Sequence, residues 1–436
     1  MTSLNGFSDV RGAAGFYRVG KDGRGRWWFI TPEGSPMFYR GVTSANRSGK
    51  AGGRRAAPGE YTKFVNAKYG TDAKPWVQSV INRLKSWQFN ALGAWCEDTL
   101  FEAGLPYTDI LDLQYEAPLI NTSGIRVPDV FDEFWLENLD RVARTYCAPR
   151  RNSKSFIGYF TDNELGWGAP LEEQAWGGID ITGGRQQRIY LLQACLSLPA
   201  DRGAHQAAWK FAEQRHGSLE NIARAYGLVL TSRQDVASLT NEGQAINTAA
   251  YGEDLKAFIF EFAKRYFETT AEAIKRHDPN HLILGCRFGA PPGPDVFRAC
   301  TPAVMDVLCA NNYRVDMSLR VDEYHRPTGL PVLIGEYAWC SGYFTEERIT
   351  ENLPSELVLP GADKLPRMHA RAKWGVPRAA ANPALVGYTW YRWVDHPGHK
   401  YPDNYGLVTY KDEENTHHTA LVTALNAQLE ALHAGA

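Results

Sequence analysis

The stretch GYFTDNELGWG, residues 158–168, joins the apolar end of a strand to a group of polar side chains. The apolar run 156–160 leads in, and Asp162, Asn163 and Glu164 follow it directly. Charged side chains are rarely buried unless they are paired or take part in function. In an α/β barrel the carboxyl ends of the strands carry the reacting groups, so this stretch predicts a strand that delivers an amide and a carboxylate to a site.

Seven further apolar runs of strand length alternate with amphipathic helices along the chain. Several are continuously apolar, as expected for strands that are covered on both faces. Eight strand–helix units predict an α/β protein of the (β/α)8 TIM-barrel class. A doubly wound open sheet is the alternative, but no Gly-rich phosphate loop follows the first strand. The predicted strands are 36–42, 89–95, 106–112, 156–162, 281–287, 304–311, 331–337 and 384–392.

The chain has 436 residues, whereas a typical barrel needs roughly 250. We therefore predict a single domain, residues 1–436, with a long helical insertion after strand 4 at about 165–250 and an extended loop after strand 7. Insertions at these positions build the active-site face, so a deep and partly lidded cleft is expected. Residues 27–42 predict a hairpin that leads into the first strand, and residues 253–277 predict a core helix.

Charge and composition disfavour several classes of function. The net charge is −2, from 47 basic and 49 acidic residues, so nucleic-acid binding is disfavoured. No apolar run approaches the roughly 18 residues that span a membrane. Seven scattered cysteines and an N-terminus without an apolar segment predict a cytoplasmic protein. No cofactor or metal is expected, and a homo-oligomer stays open.

Two glutamates stand at predicted strand ends. Glu164 ends strand 4, and Glu336 ends strand 7 in the stretch LIGEYAW. Two facing carboxylates suit glycoside hydrolysis, with retention at separations of about 5–5.5 Å and inversion at about 6.5–9.5 Å. The alternatives are a surface turn for Glu164 and a structural ion pair with Arg287 for Glu336. Asp162 is interpreted as structural, and the pair at 417–418 as solvated histidines.

The pattern Asn163-Glu164 with Glu336 resembles the signature of clan A retaining glycoside hydrolases. The stretch GFYRVGKDGRGRWWFITPEGSPMFYRGV (15–42) resembles the opening of the agarase-type family 50 enzymes, and 158–168 is similar to their strand 4 motif. Residues 209–234 resemble a helical insertion of that family and of the family 42 β-galactosidases. Residues 395–413 resemble the segment that follows the barrel in the same group.

This resemblance implies roles for individual residues. Glu164 would be the general acid/base, Glu336 the nucleophile, and Asn163 a partner of the sugar 2-hydroxyl. Tyr313 would orient Glu336. Trp390 would form the floor under the reacting sugar, with Tyr391 or Trp393 as alternatives if the strand register differs. Further predicted substrate contacts are Trp95, Asn312 and Trp339.

Two features depart from the family pattern. Many clan A members carry an Arg on strand 2, where this chain has Trp95. Family 50 enzymes usually carry an extra N-terminal domain, whereas this chain begins almost at the barrel, which favours oligosaccharides over polysaccharides as substrates.

The predicted function is a retaining, exo-acting β-glycosidase for β-galactosidic oligosaccharides. A different sugar, transglycosylation or a non-catalytic carbohydrate-binding barrel remain alternatives. A Ser-triad hydrolase is disfavoured because no GxSxG motif is present. A metal-dependent hydrolase is disfavoured because the predicted strand ends offer Glu, Asn, Tyr and Trp rather than clustered His and carboxylate ligands.

Overall fold

The computed structural model describes residues 6–52, 57–122, 124–170, 189–350, 353–396 and 398–435. The strands are β1 (Ser8–Arg11), β2 (Arg18–Lys21), β3 (Trp27–Ile30), β4 (Pro36–Met37), β5 (Tyr39–Val42), β6 (Ala91–Leu92), β7 (Tyr107–Ile110), β8 (Leu119–Thr122), β9 (Ile125–Pro128), β10 (Phe156–Phe160), β11 (Leu282–Ile283), β12 (Leu308–Asn311), β13 (Val332–Tyr337) and β14 (Leu385–Trp390). The helices are α1 (Glu60–Tyr69), α2 (Ala73–Ser86), α3 (Trp135–Tyr146), α4 (Leu191–Leu196), α5 (Gly203–His216), α6 (Leu219–Tyr226), α7 (Asp235–Asn241), α8 (Ala249–His277), α9 (Pro294–Ala299), α10 (Met317–Thr328), α11 (Gly342–Thr345), α12 (Lys364–Ala380) and α13 (Thr416–Ala434).

Eight strands form one parallel sheet in the order β11-β10-β7-β6-β5-β14-β13-β12. Each neighbouring pair is parallel. Beyond the end of β11, Phe288 pairs in parallel with Ala310 of β12, so the two outer strands of this order also meet. The result is a TIM-like α/β fold in which all eight predicted strands are present.

The first predicted strand is divided between two sheets. Pro36–Met37 pairs with β3 in an antiparallel sheet of β1 to β4, whereas Tyr39–Val42 pairs with β6 and β14 in the parallel sheet. Between them Phe38 is 1% exposed. The hairpin predicted at 27–42 is confirmed for β3 and β4, and Gly34 in its turn has φ +95°. Because residues 36–42 are mostly apolar throughout, the sequence did not show where the chain leaves the antiparallel sheet and joins the parallel one.

Among the described residues between β10 and the long helix α8 there are four helices, α4 to α7. Residues 171–188, part of the predicted insertion, lie outside the described residues. Helix α8 begins after Thr248, whose hydroxyl accepts from the Tyr251 N–H, and ends before Asp278. Its apolar face is buried, in agreement with the predicted core helix at 253–277. None of the helices in the described ranges is long and apolar enough to cross a membrane.

The hairpin of β8 and β9 was not predicted, although it bears on the site. The backbone of Arg126 in β9 pairs with Gly166, with N–O distances of 2.8 and 3.1 Å. Gly166 lies two residues after Glu164, so the hairpin is attached to the loop that carries this glutamate. A Cβ at Gly166 would stand 2.3 Å from the Gly124 carbonyl oxygen, so this close approach requires glycine.

Candidate active site

Glu336 is the second-last residue of strand β13, and its carboxylate accepts hydrogen bonds from two donors. Arg287 Nη2 donates to Oε1 at 2.9 Å, and the Tyr313 hydroxyl donates to Oε2 at 2.6 Å. Glu336 is 6% exposed and Arg287 is fully buried. The expected contact of Tyr313 is therefore present, and the ion pair considered as an alternative for Glu336 is present as well. Each carboxylate oxygen of Glu336 therefore accepts a hydrogen bond, which fixes the orientation of the side chain.

Burial raises the pKa of Glu336 to about 7. The Arg287 guanidinium and the Tyr313 hydrogen bond act in the opposite direction, because each favours the charged form. The charge of Glu164 raises the pKa further. The two glutamates therefore lie close enough to interact electrostatically, although 172 residues separate them in the chain.

Glu164 follows β10 and is exposed, unlike Glu336. Its Oε1 accepts from Asn311 Nδ2 at 2.8 Å, and the same Nδ2 contacts Asn163 Oδ1 at 3.1 Å. Asn311 ends β12, next to Asn312, whose backbone N–H donates to the Glu336 carbonyl at 2.9 Å. These contacts link the end of β12 to both glutamates. Asn311 ends the predicted strand 304–311 and, like Asn312, was a candidate substrate contact; its contact with Glu164 was not predicted, because the local sequence does not show which strand ends meet.

Five consecutive strands of the parallel sheet are followed by a non-glycine residue with positive φ. Such conformations are strained for side-chain-bearing residues and cluster at functional sites. Each of these five residues turns the chain at the carboxyl end of its strand, where TIM-like enzymes hold their reacting groups. The residues are Ser44, Trp95, Asp112, Glu164 and Arg287, with φ between 49° and 61°.

Arg287 approaches Glu336 across the ring of Trp95. Its guanidinium carbon lies 4.4 Å from the centre of the Trp95 ring, and Nη2 also donates to the Gly335 carbonyl at 2.9 Å. Arg287, which follows β11, therefore lies over Trp95, which follows β6. The cation–π contact between Arg287 and Trp95 is visible only in the folded molecule, because the two residues are far apart in the sequence. Trp95 is 8% exposed, and its predicted sugar contact stays a prediction.

A cavity of about 120 Å³ opens beside Glu164, Asn312 and Tyr313. Asn312 is 4% exposed, and its Nδ2 has no hydrogen-bond partner among the described residues. A buried amide donor without a partner is costly unless a ligand or water supplies an acceptor. The predicted substrate contact of Asn312 is compatible with this geometry.

Trp390 and Trp339 have no surface available for a sugar. They are 0% and 1% exposed and pack against each other with ring centres 4.5 Å apart. The Trp390 indole donates to the Tyr405 carbonyl, and that of Trp339 to His418. The two predicted sugar contacts are therefore replaced by core packing. His418 is fully buried, so the prediction that it is solvated is wrong, whereas His417 is partly exposed.

Tyr391 is the alternative that was predicted for the strand 8 platform, and its role stays a prediction. It is half-buried, and its ring stands at 89° to that of Tyr313 with centres 6.3 Å apart. Burial raises the pKa of Tyr391, and the charge of Glu336 adds to this rise. A shift of one residue along β14 separates Trp390 from Tyr391, and such a shift exchanges the two faces of a strand.

Asp162 supports the strand end and does not face the cleft. It is fully buried, with Oδ1 accepting from the Gln114 N–H at 2.7 Å and Oδ2 from the Tyr266 hydroxyl at 2.5 Å. Its structural interpretation agrees with these contacts. Among the described residues, no group of three or more His, Cys, Asp or Glu side chains has an arrangement that could hold a metal ion.

This chain is similar in sequence to two beta-agarases and in structure to a solved exo-beta-agarase. No model of a known protein family matches the chain. Beta-agarase A of Vibrio sp. (strain JT0107) is 25% identical over 469 residues, which cover 91% of this chain and 44% of the agarase. Beta-agarase B of the same strain is 23% identical over 382 residues, covering 81% of this chain and 37% of its own length. A solved exo-beta-agarase superposes with a TM-score of 0.73 at 20% identity, over 97% of this chain and 66% of the other.

The fold and these relatives define the chain as a glycoside hydrolase relative. Within that class it is related to the beta-agarases, which confirms the agarase-type resemblance predicted from residues 15–42 and 158–168. The chain spans less than half the length of the curated relatives that it matches.

Proposed function

We propose that the protein is a retaining, exo-acting β-glycosidase that hydrolyses β-galactosidic oligosaccharides by double displacement. The observation that carries the proposal is a pair of interacting glutamates in unlike surroundings. Glu336 is buried between a cation and a phenol, whereas Glu164 is exposed and has an amide donor. Glycoside hydrolysis needs one carboxylate and one carboxylic acid. Burial favours the protonated form of Glu336, so its proposed role as the ionised nucleophile rests on the Arg287 and Tyr313 donors, which favour the charged form.

In the first step, ionised Glu336 attacks the anomeric carbon and forms a glycosyl ester as the bond to the leaving oxygen breaks. Glu164 supplies a proton to that oxygen. Because Asn311 donates to Glu164 Oε1, the acidic proton resides on Oε2, which is left to face the leaving group. In this proposal Asn163, whose Oδ1 accepts from the same amide, contacts the sugar 2-hydroxyl.

In the second step, Glu164 removes a proton from water, and the resulting hydroxide equivalent attacks the anomeric carbon. The ester bond breaks, Glu336 leaves as a carboxylate, and Glu164 is protonated again. Arg287 and Tyr313 stabilise this departing carboxylate, since both donate to its oxygens. The cycle needs no cofactor.

Substrate class and domain organisation are also part of the proposal. The agarase relatives support β-galactosidic linkages, and Tyr391 is the candidate platform for the reacting sugar. Exo action is proposed because the predicted insertions after strands 4 and 7 would close one end of the cleft. We propose that residues 1–436 form one (β/α)8 domain that acts on oligosaccharides.

The decisive experiment follows product stereochemistry. The purified protein is incubated with aryl β-galactosides and neoagaro-oligosaccharides, and the products are followed by NMR before mutarotation. Initial release of the β-anomer supports the double displacement, whereas initial release of the α-anomer refutes it. Folded protein that cleaves none of these substrates refutes the galactosidic assignment and favours another sugar or a binding function.

Azide assigns the nucleophile separately. Glu336→Gly with azide and an activated aryl β-galactoside should yield the α-glycosyl azide, because azide enters from the face that the carboxylate has vacated. A β-glycosyl azide would identify Glu336 as the acid/base and exchange the two roles. Glu323→Gly, which removes a glutamate of helix α10, is the matched control and should give neither product.

A further inference from the structure

Two buried arginines of helix α12 bind the segment that joins β13 to this helix. Arg371 is 0% exposed and Arg367 is 4% exposed. They are four residues apart, so they lie on the same side of α12. The structure describes residues 338–350 and 353–363 of the segment that they bind, the β13–α12 segment. The catalytic steps proposed above use neither arginine.

Arg371 donates to backbone carbonyl oxygens in two separate stretches of the β13–α12 segment. Nη1 donates to Tyr343 at 2.7 Å and to Glu346 at 3.1 Å. Nε donates to Leu357 at 3.0 Å, and Nη2 donates to Val358 at 3.4 Å. A buried charge is costly unless it is hydrogen-bonded, so these contacts support the burial of the guanidinium. They also fix the two stretches relative to each other.

Arg367 binds the same two stretches one helical turn earlier. It donates to the carbonyl oxygens of Thr345 at 2.8 Å, Leu359 at 3.3 Å and Ala362 at 2.5 Å. Hydrogen bonds from a charged donor are stronger than those between neutral groups. The backbone of the β13–α12 segment is therefore held by two buried guanidinium groups of the helix that follows it.

Tyr343 connects this backbone contact to the candidate active site. Its carbonyl oxygen accepts from Arg371, and the residue lines the cavity of about 120 Å³ beside Glu164 and Asn312. The guanidinium carbon of Arg314 lies 5.1 Å from the centre of the Tyr343 ring. Arg371 itself is fully buried, so a substrate in the cavity can sense it only through the residues that it holds.

We propose that Arg371 is a positioning residue for substrate binding, which acts by holding Tyr343 against the cavity beside Glu164. The proposal rests on the proposed glycosidase function. It adds that one wall of the cavity is fixed by a group outside the cleft. Loss of Arg371 should weaken substrate binding and spare the chemical step, because the hydrogen bonds printed above for the two glutamates do not involve this arginine.

Steady-state kinetics on an aryl β-galactoside separate binding from chemistry. Arg371→Met should raise KM by about tenfold, the effect of losing one contact, and leave kcat within about twofold of the wild type. Arg371→Lys keeps the charge but replaces the planar fork by a compact ammonium group, so it should raise KM as well. Arg265→Met is the matched control, since it removes a half-buried arginine of α8 that donates to the Val130 carbonyl at 2.7 Å. Its KM should equal that of the wild type.

A double-mutant cycle tests whether Arg371 acts through Tyr343. Tyr343→Ala should raise KM by a similar factor, and the double variant should bind no more weakly than Tyr343→Ala alone. Effects that multiply overturn the proposal, and so does an unchanged KM or a loss confined to kcat in Arg371→Met. Circular dichroism checks the fold, and if Arg371→Met does not fold, the cycle is run with Arg371→Lys.

Proteolysis tests the backbone contact without any substrate. The Arg348 side chain is 83% exposed and lies between the two stretches that Arg371 binds. Trypsin cleavage after Arg348, followed by mass spectrometry, should be at least about tenfold faster in Arg371→Met than in the wild type or Arg265→Met. An equal rate overturns the proposal and leaves the glycosidase function standing.

A wild type that cleaves no galactoside refutes the proposed function, and binding then decides the role of Arg371. Neoagarotetraose is titrated by calorimetry against the wild type and Arg371→Met. At least tenfold weaker binding by the variant supports the positioning role, whereas equal affinity, or no binding by either protein, overturns it.

Discussion

The Tyr313 hydroxyl should control the pH at which Glu336 becomes a nucleophile. Tyr313→Phe removes only the oxygen that donates to Glu336 Oε2 at 2.6 Å. That hydrogen bond favours the ionised carboxylate, so its loss raises the pKa of Glu336 above the value of about 7 that burial produces. Because attack requires the ionised form, kcat/KM should rise with pH through this pKa, and the acid limb should move to higher pH in the variant.

The size of the change follows from the charged hydrogen bond. Such bonds contribute about 1.5–3 kcal/mol, and about 1.36 kcal/mol corresponds to one pKa unit, so the acid limb should move by about one to two pH units. At pH 7 the ionised fraction would fall from about one half to between about 1% and 10%, a loss of about 5- to 50-fold in kcat/KM. Raising the pH should restore much of this activity.

The assay is the pH profile of kcat/KM on an aryl β-galactoside between pH 4 and 10, since this parameter reports the free enzyme. Tyr337→Phe is the matched control. Tyr337 is the next residue on the same strand, it is fully buried, and its hydroxyl has no hydrogen-bond partner among the described residues. In the pH profile of Tyr337→Phe, the acid limb should stay at the pH of the wild type. A uniform loss of rate in Tyr313→Phe, with the acid limb unmoved, would refute the reasoning.

Three further predictions address the acid/base, the packing beneath the site and the stability of the fold. Glu164→Gln should slow cleavage of substrates with poor leaving groups by at least about 100-fold while sparing the first step on activated aryl glycosides, which need no proton. Steady-state and burst kinetics on both substrate types would show it, and equal losses would contradict the role. Gly335→Ala should lower kcat by at least about tenfold, because its Cβ would stand 2.8 Å from Asn311 Oδ1 and 3.1 Å from Arg287 Nε and so displace residues that hold both glutamates. Single-turnover rates together with a circular dichroism spectrum test this, and an unchanged rate in a folded variant would oppose it. Burial lowers the pKa of His418 to about 3, below its ordinary value of 6.5, so the fold favours the neutral ring and loses stability as the pH falls below 6.5. The unfolding free energy of the wild type relative to His418→Gln should therefore decrease by about 1.4 kcal/mol per pH unit between pH 6 and 4 in urea titrations, whereas a constant difference would show that His418 does not titrate on unfolding.

Much of the fold could be read from local patterns. All eight strands of the parallel sheet occur where short apolar runs predicted them, because strands covered on both faces leave a continuous apolar signal. Glu164 and Glu336 were recognisable because each follows such a run, where an idle carboxylate would be unfavourable. Tyr313 was assigned through the family resemblance, and its contact with Glu336 agrees with that assignment.

Other features depend on which segments pack together in the tertiary structure. Trp390 is buried whereas Tyr391, the next residue, is partly exposed, because successive residues at a strand end face opposite sides, and the local apolar pattern does not show which side faces the cleft. The sequence predicted that His418 is exposed to solvent. In the structure it is buried and accepts a hydrogen bond from Trp339, a residue 79 positions away in the chain. Arg287 reaches Glu336 only because the sheet brings neighbouring strand ends to one edge. By itself the sequence determined the strands and the two carboxylates, since these depend on local hydrophobicity. Tertiary structure alone decided which side chains surround those carboxylates, because burial and charge pairing depend on segments that are distant along the chain.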